Sequence, residues 1–111
     1  MPHCLIEYSS SVAEQASDEQ LLDCVFQALA NSPLFDASAV RVSSQRYEHC
    51  RMGEASGFVH VTIRLFDGRS HNDKAQLTRQ VGQALVGLGM TDIKIFCECV
   101  DIHSPTCFHS T

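Results

Sequence analysis

The spacing of apolar positions switches between period 2 and period 3.6 along this chain, and each stretch predicts an element. Residues 3–9 carry the apolar run Cys4-Leu5-Ile6 and read as a strand. Ser17-Asp18-Glu19-Gln20 matches a capping box, in which the Ser hydroxyl and the Gln side chain satisfy free amide donors at a helix start. Leu21, Leu22, Val25, Phe26 and Leu29 follow at helical spacing. Asn31-Ser32-Pro33 ends that helix, because Pro33 cannot continue it. Val40 to about Glu48 alternates apolar and polar residues as a half-buried strand does, and Gly53 to Gly57 is a turn region.

The plan then repeats. Phe58 to Phe66 alternates strictly, with Val59, Val61, Ile63 and Leu65 on one face. Asp67-Gly68 makes a turn, Ser70 is an N-cap, and Asp73 lies in the first turn, where a negative charge favours the helix dipole. Leu77, Val81, Leu85 and Leu88 form the expected buried stripe, with Gly89 as the C-terminal cap. Ile93 to Ile102 is the last strand. The expected fold class is α/β (α+β): one domain over 1–111, with β-α-β units at about 3–48 and 58–102 and a short tail at 103–111. Two such units join into one four-stranded sheet with both helices on one face. The other face then has to be covered, and no further helix is left to do it. Association of subunits with cyclic symmetry is the expected solution.

Composition narrows the setting. A chain of 111 residues, 44% hydrophobic and 19% charged, has the balance of a globular protein. A formal net charge of -5 argues against a nucleic-acid partner. There is no apolar run of membrane-spanning length and no signal-peptide pattern, so a cytoplasmic protein is expected. Six cysteines are many for this length, but in that compartment a disulfide framework is not expected. Cys4, Cys97 and Cys99 lie in strand-like runs as small apolar residues.

The chemistry begins at the second residue. Pro2 is small enough for the initiator Met1 to be removed, leaving a free prolyl amine at the mouth of the first strand. An ordinary α-amino group titrates at about 7.7–8.0. Desolvation or a nearby cation lowers that value, which produces a general base suited to neutral pH.

Beyond that amine, the order of several motifs resembles a known family. Met1-Pro2-His3, Leu5-Ile6-Glu7, Val40-Arg41, Phe58-Val59-His60-Val61-Thr62, Gly68-Arg69-Ser70 and Cys97-Glu98 with His103 look like 5-carboxymethyl-2-hydroxymuconate isomerase, of the tautomerase superfamily. The resemblance runs from Pro2 to about His103. It implies a homotrimer with active sites near subunit boundaries and no metal or organic cofactor. It also implies the reaction: a proton moves between positions of an unsaturated 2-oxo or 2-hydroxy dicarboxylate, with 5-carboxymethyl-2-hydroxymuconate the expected substrate. By position, Pro2 becomes the base, and Arg41 and Arg69 become the anion-binding and electrophilic partners. Arg suits those roles, because its planar fork of donors matches a carboxylate or an enolate. Arg69 also precedes the Ser70 cap, where free amides and the helix dipole favour an anion. Taken alone, Arg41 reads as a solvated charge at a strand end and Arg69 as a turn residue.

Other residues are open to more than one reading. His3 follows the base and is a candidate substrate-binding residue or a surface one. His60 lies on the polar parity of its strand and reads as structural. Glu7 and Glu98 lie within strands, where a charge needs a polar partner, and an interface salt bridge is expected. Arg46 and Arg51 are alternative holders of a remote carboxylate. Cys97, Cys99, His103 and Cys107 could offer four metal ligands, but their spacing matches no common zinc pattern and no metal is expected. Rival functions are hydration or dehalogenation of a related acid, or a trimeric binding module without catalysis.

Overall fold

A computed structural model describes residues 2–110. Six main elements follow one another: β1 (His3–Ser9), α1 (Asp18–Ala30), β2 (Arg41–Tyr47), β3 (Gly57–Phe66), α2 (His71–Val86) and β4 (Ile93–Ile102). Both helices start as the sequence dictates. Ser17 and Gln20 form the reciprocal capping box on α1, and the Ser70 side chain accepts from the Asp73 amide on α2.

The strands form one sheet in the order β2-β1-β3-β4. The outer pairs β1–β2 and β3–β4 are parallel, and the central pair β1–β3 is antiparallel. Each parallel pair is the β-α-β unit read from the sequence, and the antiparallel seam joins the two units.

Strand alternation separates the two faces of this sheet. Cys4, Ile6 and Tyr8 of β1 and Val59, Val61, Ile63 and Leu65 of β3 are buried on the helix side. There they meet Leu21, Val25, Leu29, Leu77, Val81 and Leu85. The helices pack against each other, with α1 against β2 and α2 against β4. Among the described residues no helix covers the opposite face. Its register rows bring His3, Leu5 and Glu7 beside Arg64, Thr62 and His60, and Phe96, Glu98 and Val100 lie beyond them on β4. Phe96 is 57% exposed there.

One expectation is corrected at the end of α2. Leu88 is exposed rather than part of the buried stripe, because the helix stops at Val86 and Gly87 takes the cap position. The Leu88 and Gly89 amides reach back only three residues, to Leu85 and Val86, so the last turn tightens and rotates Leu88 outward. Gly89, with φ +74°, supplies the left-handed residue one step beyond.

Candidate active site

Strand direction decides which residues can meet. β1 and β2 begin at the same end of the sheet, and β3 and β4 finish there. Pro2, His3 and Arg41 therefore lie beside the last residues of β3 and the turn that leads to Arg69. The Arg41 amide donates to the Pro2 carbonyl at 3.2 Å, which ties the start of β2 to the chain's first described residue. Pro2 is buried and continues the inward parity of Cys4 and Ile6. The expected removal of Met1 concerns a residue outside the described ones.

Arg69 is held on the helix side of this end. Its Nη2 donates to the Leu34 carbonyl at 3.3 Å, and its guanidinium lies 5.0 Å from the centre of the Phe35 ring. Both partners belong to the connection between α1 and β2. Asp36 fixes that connection by accepting from the Ser38 amide and hydroxyl, each at 3.0 Å. The Ser38 amide bond, followed by the hydroxyl bond, holds the Asp36 carboxyl below its usual range. Arg69 thus approaches with a fixed orientation and keeps other donors of its fork free.

On the open face, His3 pairs in register with Arg41 on one side and with Arg64 on the other. Arg41 and Arg64 are exposed. Partial burial, then the Arg41 charge, then the Arg64 charge lower the pKa of His3, so its imidazole stays neutral in this cationic row. The start of the tail also closes over this end. The Asp67 amide donates to the Ile102 carbonyl at 3.0 Å, the Ser104 hydroxyl donates to Asp67 at 2.9 Å, and the His109 ring lies 5.5 Å from that of Phe66.

The fold therefore gathers Pro2, His3, Arg41 and Arg69 at one end, with Pro2 and Arg69 on the helix side and His3 and Arg41 on the open side. It adds Arg64, which the sequence reading passed over. The signal was present, because Arg64 sits on the outward parity of β3 with His60 and Thr62. Only the antiparallel register of β1 and β3 brings it beside His3.

The other candidates separate from this end. Arg46 lies at the far end of β2 and pairs with Glu48 at 2.8 Å. Arg51 lies in the following connection, beside Glu48, His49 and Cys50. Glu7 accepts from the Tyr47 hydroxyl, and Glu98 lies 2.7 Å from His60 Nε2, so both carboxylates have a polar partner within the subunit. Glu7, Tyr47, Cys50, Phe58 and His60 line an open cavity of about 290 Å³ on the helix-free face. Cys97 and Cys99 face α2, where Cys99 Sγ donates to the Lys74 carbonyl at 3.7 Å. His103 is bonded to Thr106 and Cys107 is exposed, and among the described residues no third metal-ligating side chain joins a pair. No helix among the described residues is long and apolar enough to cross a membrane.

Comparison with known proteins follows the same lines. The family model of 5-carboxymethyl-2-hydroxymuconate isomerase matches residues 2–88. No curated protein matches the chain. Among solved structures, a 5-carboxymethyl-2-hydroxymuconate isomerase from Deinococcus radiodurans R1 superimposes with a TM-score of 0.84 at 19% identity, covering 98% of this chain and 88% of that one. A 5-carboxymethyl-2-hydroxymuconate delta-isomerase gives 0.81 at 16% identity, covering 100% and 88%. A fused 4-OT wild-type symmetric trimer gives 0.62 at 23% identity, covering 89% and 85%. These likenesses establish a shared fold.

Proposed function

The chain belongs to the 5-carboxymethyl-2-hydroxymuconate isomerase family, and on that premise we propose that it isomerises 5-carboxymethyl-2-hydroxymuconate with the N-terminal Pro2 amine as general base. The observation that carries this reading is the convergence of buried Pro2 with Arg41 and Arg69 at one end of the sheet. Once Met1 is removed, Pro2 carries a secondary amine at the end of the sheet where Arg41 begins β2 and Arg69 is held by Leu34 and Phe35. Burial and positive charge both disfavour its protonated form, so it is free to accept a proton near neutral pH.

The amine takes the proton of the 2-hydroxyl, and the electron pair flows through the diene as a dienolate. The same proton is returned to C5, which gives the 2-oxo-3-ene isomer and regenerates the amine. Nothing is oxidised, and the net formula is unchanged. This route calls on no metal or organic cofactor. Arg69 faces the charge that develops on oxygen, held by Leu34 and Phe35 so that little reorganisation is needed when the charge appears. Arg41 and His3 bind a carboxylate on the open side.

The active form is a homotrimer assembled through the helix-free face. Exposed Phe96, the row of Leu5, Thr62 and Glu98, and the trimeric description of the fused 4-OT neighbour support that arrangement. The setting is the cytoplasmic breakdown of aromatic compounds. The test is an ultraviolet assay of Met-processed protein with 5-carboxymethyl-2-hydroxymuconate, with Pro2→Ala beside it. Loss of the dienol absorbance should slow at least about a hundredfold in the variant, the scale of a positioned base. Full activity in Pro2→Ala would exclude this base. Turnover of other acids alone would favour hydration or dehalogenation.

A further inference from the structure

We infer that Arg64 completes an anion site with Arg41 and His3 on the open face, and that it holds the carboxylate of the substrate's carboxymethyl arm. The inference rests on the isomerase reading above and extends it to a residue that sets substrate specificity.

The register fixes the geometry. His3 lies between Arg41 on β2 and Arg64 on β3, and all three side chains share the outward parity. Two strand spacings separate the two arginine Cα atoms by about 10 Å. Each long side chain can reach inward from there, so the row can grip two acid groups at once. The arginines are also uncompensated. Among the described residues the ion pairs join Arg46 to Glu48, His60 to Glu98 and Lys74 to Asp101, and none includes Arg41 or Arg64. Arg41 and Arg64 thus flank His3 without an ion pair among the described residues. Two like charges about 10 Å apart in water repel weakly. A bound anion turns that repulsion into attraction.

The substrate's chemistry supplies the reason for a further cation. A hydroxymuconate has a carboxylate at each end of its diene, and the carboxymethyl arm adds another. Arg41 answers one of these carboxylates and Arg69 the charge that develops on the 2-oxygen, so a further cation is needed. Arg46 is already engaged by Glu48 at the far end of β2, so it is not the holder of the remaining group within the subunit. Arg64 stands one strand from His3, exposed, with its fork of donors available for a bidentate bond.

The test compares 5-carboxymethyl-2-hydroxymuconate with 2-hydroxymuconate, which lacks the arm, in wild type, Arg64→Met and Arg64→Lys. Arg64→Met should lower the ratio of the two kcat/KM values about 10- to 100-fold, the scale of a hydrogen bond to a charged group. The loss should appear in KM for the three-carboxylate acid, and Arg64→Lys should restore part of the ratio. A ratio that changes less than threefold, or an equal loss for both acids, overturns the inference. If wild type turns over neither acid, the isomerase reading fails separately, and binding decides the site. The His3 ring resonances then follow titration with tricarballylate, which has three carboxylates, and glutarate, which has two. A tricarballylate affinity that falls about tenfold more than the glutarate affinity in Arg64→Met retains the anion site. Equal weakening, or none, removes it.

Discussion

Replacing Gly57 with Ala tests how tightly the antiparallel seam is built. A Cβ at this position falls well inside van der Waals contact of both Ser9 Oγ and Ser11 Oγ and lies 3.1 Å from Ile93 Cδ1. Neither hydroxyl is idle. Ser9 is buried, its Oγ accepts the Phe58 amide at 3.0 Å, and it bonds Ser11 Oγ at 2.9 Å; Ser11 in turn donates to the Ser56 carbonyl at 2.8 Å. Ser11 can rotate toward solvent, but moving Ser9 strands the Phe58 amide. Leaving that donor unsatisfied costs about 1–3 kcal/mol, and crowding adds a cost of similar size. The reduced freedom of Ala in the unfolded chain returns about 0.4–1 kcal/mol. A net loss of about 1–5.6 kcal/mol is expected, read as the shift of a urea midpoint at one fixed subunit concentration. The double variant Gly57→Ala with Ser9→Ala should cost little more than Ser9→Ala alone, because the crowded oxygen is already gone. Additive losses, or an unchanged midpoint in Gly57→Ala, would refute the reasoning.

Two further outcomes follow from charge. Burial, reinforced by its bond to Asp18, pushes the Tyr8 hydroxyl up to about 12, and the bond to Glu7 raises that of Tyr47. The chain has two tyrosines and no tryptophan, so at pH 10 the folded protein should show little tyrosinate absorbance, Tyr8 contributing about 1%, against about half in urea. Because the folded state holds the Tyr8 proton more tightly, stability should fall as the pH rises from 10 to 12, and equal absorbance in the folded and unfolded states would contradict this. The second outcome concerns salt. If the cationic end steers the substrate, kcat/KM should drop several-fold from about 0.01 M to about 0.1 M salt as the Debye length shrinks from about 30 to about 10 Å. A rise would mean that the net charge of -5 governs the encounter instead.

What could be read from the sequence was whatever local chemistry dictates. The Ser17 and Ser70 caps, the alternation of β3 and the bounds of β4 depend on neighbours a few residues away, and all appear where the pattern puts them. The end of α2 was less legible, because Gly87 and Gly89 both offer a cap and only the closing hydrogen bonds choose between them. Partners distant in sequence were the least legible. That Glu7 and Glu98 need polar partners followed from their place in strands, but that Tyr47 and His60 supply them within the subunit follows only from the register. Arg64 was missed for the same reason. Its strand face followed from alternation, but its place beside His3 is a property of the β1–β3 seam, which no local motif records.

The two faces of the sheet divide the proposed work, and that division bears on assembly. Pro2 and Arg69 lie on the helix side, partly or wholly out of solvent, whereas Arg41 and Arg64 are exposed on the open side. A cation 4 Å from an anion is worth about 1 kcal/mol in bulk water and about 4 kcal/mol at the effective dielectric near a protein surface. In a lone subunit the open-side arginines would act at the weak end of that range. Covering the helix-free face with neighbouring subunits would strip water from the row of Arg41, His3 and Arg64 and strengthen its hold on a carboxylate severalfold. Association through this face would then serve two ends at once: it would bury the exposed Phe96 and its neighbours, and it would move the cations into surroundings where they can govern the charge of the substrate. On this argument, assembly is part of the proposed catalytic apparatus, and a subunit that folds without associating would keep its residues in place while losing most of their electrostatic effect.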